Sequence, residues 1–239
     1  MIQFFEKSEQ AYGEFNNGDI IENKPLGFPQ DGGKLKPYSN LFYWAHAQSL
    51  KDSTIGLHPH RGFEIMTIVL KGKINHYDTL LSKWIALDKG DVQLIQSGSG
   101  ISHAEAMYAG SSIFQIWFQP DLKKALQQPA NYTDIKHNQL VKNKNVTTII
   151  GAESPLKLAS EKIEITLFQV ETGGLSFEMD KQYFYSFYLI EGELKVNQVH
   201  VCKDDFFVIS EESSITYDVI EKGQFLCIKS PTKTSYPIY

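Results

Sequence analysis

Residues 67–78 read TIVLKGKINHYD and residues 187–198 read FYLIEGELKVNQ, two strand-like runs that each turn at a glycine, Gly72 and Gly192. A second pair follows each of them: GDVQLIQS starts at Gly90 and DDFFVIS at Asp204. The first blocks are offset by 120 residues and the second by 114, so the later copy has a shorter hairpin between its blocks. An internal repeat built from strands and tight turns predicts two related β units.

Further strand signals recur along the chain, among them NLFYWAHAQ, SIFQIWFQ, TTIIG, EITLFQV and FLCIK, with Gly, Pro, Asp and Asn clusters between them. That pattern points to an all-β sandwich or barrel class. Helix is scarce. The one clear candidate is DLKKALQQPA at 121–130, placed after Pro120 with an aspartate in its first turn, and it reads as a connector between the halves.

The chain has 239 residues, 42% of them hydrophobic, enough for a proper core, and a formal net charge of −5 that gives no general attraction to nucleic acid or anionic membrane. No block of Lys or Arg stands out, so a small molecule is the expected partner. The start, MIQFFEKSEQ, lacks the pattern of a secretory signal, and no apolar run reaches the ~20 residues a span needs, so a cytoplasmic protein is expected. The two cysteines, Cys202 and Cys227, read as buried free thiols.

The stretch LHPHRGFE, residues 57–64, carries the chemistry. His58 and His60 are two apart and share a face of an extended strand, and Glu64 joins them if no bulge intervenes. The block GSGISHAE, residues 98–105, supplies the counterpart: His103 and Glu105 are again two apart, just after a glycine turn. Three imidazoles and a carboxylate converging across a small barrel suit Fe(II), Mn, Ni, Cu or Zn, and the ligand types do not choose among these. Four protein ligands on an octahedral ion leave two positions open for substrate and dioxygen or water. Spacing alone leaves open whether Glu64 or Glu105 is the carboxylate.

The repeat serves as a control. Its offsets carry His58 and His60 onto Glu178 and Asp180, Glu64 onto Phe184, His103 onto Tyr217 and Glu105 onto Val219. The second unit has lost the imidazoles, and Glu178 with Asp180 reads as a solvated strand face rather than a site for a hard cation.

HPHRGFE followed by GSGISHAE resembles the two cupin motifs in the wording of the pirin family. The signature blocks cover about 57–117, and the repeat extends the likeness to about 230. The resemblance implies a bicupin: two β-barrel domains packed face to face, with metal in the first. It implies a cupin unit at 1–120, a connector at 121–145 and a cupin unit without ligands at 146–239. It also implies His58, His60, His103 and Glu105 as ligands, Fe(II) as the first choice of metal, and Glu64 as a residue behind the ligands or a buried partner for a ligating imidazole N–H, with metal binding by Glu64 as the alternative. Gln96 stands where cupins commonly have proline, a departure that touches no ligand.

Some pirins resemble quercetinases, so the implied activity is dioxygenase opening of a flavonol-like ring by a monomeric protein, with Glu105 also taking the substrate's proton. The rival is a redox-sensing regulatory protein that docks a protein partner; a zinc-dependent hydrolase or isomerase is a third reading. An open cavity beside the metal would favour an enzyme. His76 and Asp78 read equally as supports of the site or as a surface hairpin edge, His46 as a core or rim histidine, and His137 and His200 as surface residues. Phe63, Phe114, Trp117 and Phe118 lie near the motif strands as barrel filling or as the wall of an aromatic pocket.

Overall fold

The computed structural model describes residues 1–239 and is built almost wholly of antiparallel strands in three sheets. The bicupin expected from the sequence is what forms. In the first unit a four-stranded sheet runs in the order Ser53–His60, Ile101–Met107, Lys73–Asp78, Trp84–Asp88. Facing it is a seven-stranded sheet whose centre is Val92–Gln96, Glu64–Lys71, Ser112–Phe118 and Leu41–Ser49. The second unit is one nine-stranded sheet organised on two long strands, Tyr183–Val196 and Ser214–Pro231, which bend through register shifts near Gly192.

Strand period decides which residues go where. Along Glu64–Lys71, Met66 and Ile68 point toward the second unit, whereas Ile65, Thr67 and Val69 point into the first barrel. The largest core cluster therefore lies between the units: Trp44, Met66, Phe114 and Phe118 from one side meet Tyr188, Phe206, Leu226 and Ile228 from the other. Trp44 sits edge-on to Phe114 and Phe206, with ring centroids 5.4 and 5.3 Å apart. This contact is a domain core rather than a loose interface, so the two barrels form one cooperative body.

Dividing the chain at 120 and 146 is our proposal for the two units, and two segments cross that line. The first strand, Ile2–Phe5, pairs with Phe206–Ile209 in the second unit's sheet. At the other end, Tyr236 Oη donates to the Gln119 carbonyl and Gln119 Nε2 donates to the Pro237 carbonyl. The connector helix is shorter than the sequence suggests, Leu122–Ala125, capped by the Asp121 side chain accepting from Lys123 N. Cys227 is buried as expected, but Cys202 is exposed because its side chain follows the Val199–Val201 strand out into a surface turn.

Candidate metal centre

Three histidines converge at one end of the first barrel. The pairing register places His103 directly opposite His58 and sets Ile101 opposite His60. An extra residue on the Ser53–His60 strand, between the partners of His103 and Glu105, bends that edge strand inward. The rings of His58, His60 and His103 form a near-equilateral triangle, with centroids 4.7, 4.4 and 4.7 Å apart. One ligand atom from each lies within 4.8 Å of the others.

The protonation states suit a metal. His58 Nδ1 donates to the Gly56 carbonyl at 2.8 Å, which leaves the Nε2 lone pair free. The Nε2 atoms of His60 and His103 face each other at 2.9 Å. Burial, with the neighbouring imidazoles next, pushes the pKa of both His60 and His103 down to about 3, so both present neutral, basic nitrogens at ordinary pH. Such a cluster of borderline-soft donors fits a divalent transition ion.

These depressed values make a stability prediction for the metal-free chain. Between about pH 6.5 and 3 the unfolded chain binds protons on these two histidines that the folded chain refuses, so stability falls as pH drops below 6.5. The loss is of order 1–2 kcal/mol per histidine at pH 5. Urea denaturation at pH 7.5, 6 and 5 should show a shallower pH slope for His60→Gln/His103→Gln than for wild type; parallel slopes would remove these two residues as the cause.

Glu105 is fully buried next to the triangle but outside the group of mutually close ligand atoms. Its Oε2 accepts from Gln115 Nε2 at 2.7 Å and its Oε1 from Thr67 Oγ1 at 3.3 Å. Thr67 in turn accepts from Gln93 Nε2 at 3.1 Å, and Tyr132 Oη donates to Gln93 Oε1 at 3.4 Å. Gln93, Thr67 and Gln115 are aligned partners on three adjacent strands, a polar row across the sheet. Sequence reasoning missed this row. Its signal was present: each is a single polar residue inside an apolar run, in VQLI, MTIV and FQIW.

Glu64 is not where the sequence reading put it. It neither joins the triangle nor backs a ligating imidazole; its carboxylate accepts from Ala159 N, Ser160 N, Ser160 Oγ and Gln96 Nε2 at 2.6–2.8 Å. A turn at Arg61–Phe63, with Gly62 at φ +84°, moves the chain from one sheet to the other and breaks the face shared by His58 and His60. Gly98 (φ +51°) clasps that turn, its carbonyl accepting from Gly62 N, and a Cβ on Gly98 would stand 2.5 Å from the Gln128 carbonyl oxygen.

His76 and Asp78 are fully buried rather than at a surface edge. His76 Nε2 donates to Asp78 Oδ2 at 2.8 Å, the ring stacks on Tyr132 at 4.8 Å, and it lies 5.6 Å from the His103 ring. The pair thus packs behind His103 without bonding to it. His46 is a core histidine, while Glu178 with Asp180, His137 and His200 enter no cluster of metal-type ligands. Trp117 stands edge-on to His60 with centroids 4.8 Å apart and Phe63 flanks it at 6.0 Å, whereas Phe114 and Phe118 turn into the inter-unit core.

The family model described as Pirin matches residues 33–118. A pirin-like protein of Caulobacter vibrioides is 30% identical over 180 residues, which cover 72% of this chain and 75% of that protein. The chain belongs to the pirin family. The quercetin 2,3-dioxygenase of Escherichia coli K12 is similar to this pirin over a shorter stretch, 38% identical across 71 residues that cover 28% of the chain and 29% of the relative. Among solved structures, YhhW from Escherichia coli superposes with a TM-score of 0.84 at 18% identity, covering 99% of this chain and 100% of that one. The structure of bacterial pirin YhhW in complex with nickel(II) gives 0.82 at 19% identity, covering 98% and 100%. These two likenesses carry the fold of this pirin. No helix in it is long and apolar enough to cross a membrane.

Proposed function

We propose that this pirin is a metal-dependent dioxygenase that opens a flavonol-like aromatic ring with dioxygen and releases carbon monoxide. The observation that carries the reading is the His58, His60, His103 triangle with the buried Glu105 carboxylate beside it. His58, His60 and His103 would hold the ion through Nε2, with Glu105 completing the set; Fe(II) is our first choice, and Mn, Ni, Cu and Zn suit the same donors. When bound, the metal supplies Lewis acidity toward a substrate hydroxyl and a one-electron path between substrate and dioxygen.

The protein's own part is proton handling and shape. Glu105 receives the proton of the substrate hydroxyl, and Gln115 and Thr67 hold its two oxygens so that it meets the substrate already oriented. Trp117 packs against His60 and Phe63 against Trp117, an aromatic flank beside the triangle. An open groove of about 480 Å³, lined by Pro59, His60, Arg61 and Ile101 among others, reaches one imidazole of the triangle. That groove favours the enzyme over the partner-docking protein, as do relatives named quercetin 2,3-dioxygenase.

The test is quercetin-dependent oxygen uptake by protein loaded anaerobically with Fe(II), beside His58→Ala. Uptake in the wild type that vanishes in the variant is the expected result; no uptake with Fe, Mn, Ni or Cu would overturn the reading. Glu105→Gln separates the roles of the carboxylate: turnover should fall on the order of 10²–10⁴-fold, the usual range for losing a positioned base. A Glu105→Gln protein that keeps its metal and turns over at the wild-type rate would exclude Glu105 as the base.

A further inference from the structure

Where the two repeats face each other lies a second cleft, of about 370 Å³, that shares no residue with the histidine triangle. Lys71 and Lys89 reach it from the first unit, Lys203 and Lys222 from the second. All four are exposed, and none enters an ion pair, although the chain's other lysines form several. Against them stand two glutamates, Glu171 and Glu191, so the cleft is basic in a chain whose formal charge is −5.

The lining follows the internal repeat. Leu70 and Ile190 are related by the 120-residue offset, as are Lys71 and Glu191, and Lys89 and Lys203 by the 114-residue offset. Each barrel thus presents the same two turns to a shared space. Next to the two turn lysines the symmetry breaks. Asp204 occupies the left-handed conformation (φ +71°) that Gly90 occupies in the first copy (φ +87°). An aspartate tolerates that region better than most residues but still carries strain.

Its carboxylate is tied down by Lys7 Nζ at 2.8 Å and Tyr188 Oη at 3.2 Å, and lies 3.3 Å from His46 Nδ1. His46 Nδ1 is also 3.1 Å from Tyr188 Oη. That network holds the His46 ring in place through Nδ1. The His46 ring lines the cleft, and its Nε2 makes no hydrogen bond within the protein.

We propose that this cleft binds a small oxyanion of two or more negative charges, held between the turn lysines of both barrels over His46. Lysines serve such a ligand as point charges, and a phosphate ester or a dicarboxylate would satisfy them alike. Glu171 and Glu191 at the same cleft work against a long polyanion such as nucleic acid, and leave room for hydroxyl or amine groups on the ligand. A bound anion would bridge the two units and stabilise the folded chain by linkage.

The test uses the full chain in its purified metal state, titrated with inorganic phosphate and, separately, with succinate, by calorimetry and thermal unfolding. Wild type should bind at least one of them at 1:1 stoichiometry with a rise in Tm. Lys89→Ala/Lys203→Ala should weaken that binding roughly tenfold or more and remove the rise. Lys83→Ala/Lys142→Ala, which removes two exposed lysines elsewhere, should bind like wild type. Phosphate binding alone assigns a phosphate ester, and succinate binding alone a dicarboxylate. No binding of either probe, equal binding by Lys89→Ala/Lys203→Ala, or equal weakening in both double variants would overturn the proposal.

Discussion

His103→Ala should lower metal affinity by well over 100-fold and abolish metal-dependent turnover while the chain stays folded. His103 is the hub of the triangle: its strand pairs with that of His58 on one side and of Asp78 on the other, and its Nε2 faces His60 Nε2. Removing it leaves His58 and His60 on an edge strand with no imidazole from the barrel interior. Changing residues that only orient ligands typically costs about 10–100-fold in affinity, so loss of a ligand should exceed that range. Gln115→Ala supplies the comparison, since it frees one Glu105 oxygen but removes no imidazole. Metal retained after dialysis against a graded series of chelators should rank wild type above Gln115→Ala and Gln115→Ala above His103→Ala. Wild-type metal content in His103→Ala would end the case for this centre.

The features legible in the sequence were those written locally. His58 with His60, and His103 with Glu105, lie two apart on single strands, so a period of two puts each pair on one face without any knowledge of the fold. The two related β units were legible because the repeat around Gly72 and Gly192 keeps its glycine turn, and the pirin resemblance made a bicupin of them. Glu64 was misplaced because parity counting fails across a turn, and Gly62 makes one. The row Gln93, Thr67, Gln115 was hidden because its members are neighbours across strands; each alone resembles noise in an apolar run. The basic cleft was hidden for the same reason, its lysines being scattered from position 71 to 222.

The degenerate second copy explains itself in the same terms. The repeat offsets carry Thr67 onto Phe187 and Gln93 onto Phe207, and these two rings pair across strands and stack, with centroids 4.7 Å apart and planes at 9°. Tyr217 and Val219, which stand for His103 and Glu105, lie in the same buried apolar cluster. A polar row that holds a carboxylate in one barrel has become a packed aromatic layer in the other. The second barrel's interior is therefore filled, and what it contributes lies on its faces: the inter-unit core, the clasp on Glu64 and half of the basic cleft.

Glu64→Ala should show how much that clasp contributes. The carboxylate is 1% exposed and accepts four hydrogen bonds, three of them from Ala159 and Ser160 in the segment leading into the second unit's sheet. Alanine takes the acceptor away from two backbone N–H groups, a hydroxyl and the Gln96 amide, and buried donors left unpaired cost about 1–3 kcal/mol each. With partial relaxation a total loss of about 3 kcal/mol is expected, a fall in Tm of roughly 6–12 °C for a chain of this size. Glu64→Gln keeps one acceptor oxygen but turns an amide N–H toward donors, so it should lie between alanine and wild type. The decisive comparison is with metal: if Glu64 is a clasp, the Tm deficit of Glu64→Ala persists in the metal-free protein and metal affinity stays within a fewfold of wild type. A ligand at this position would give the reverse, a large loss of metal affinity with metal-free stability unchanged.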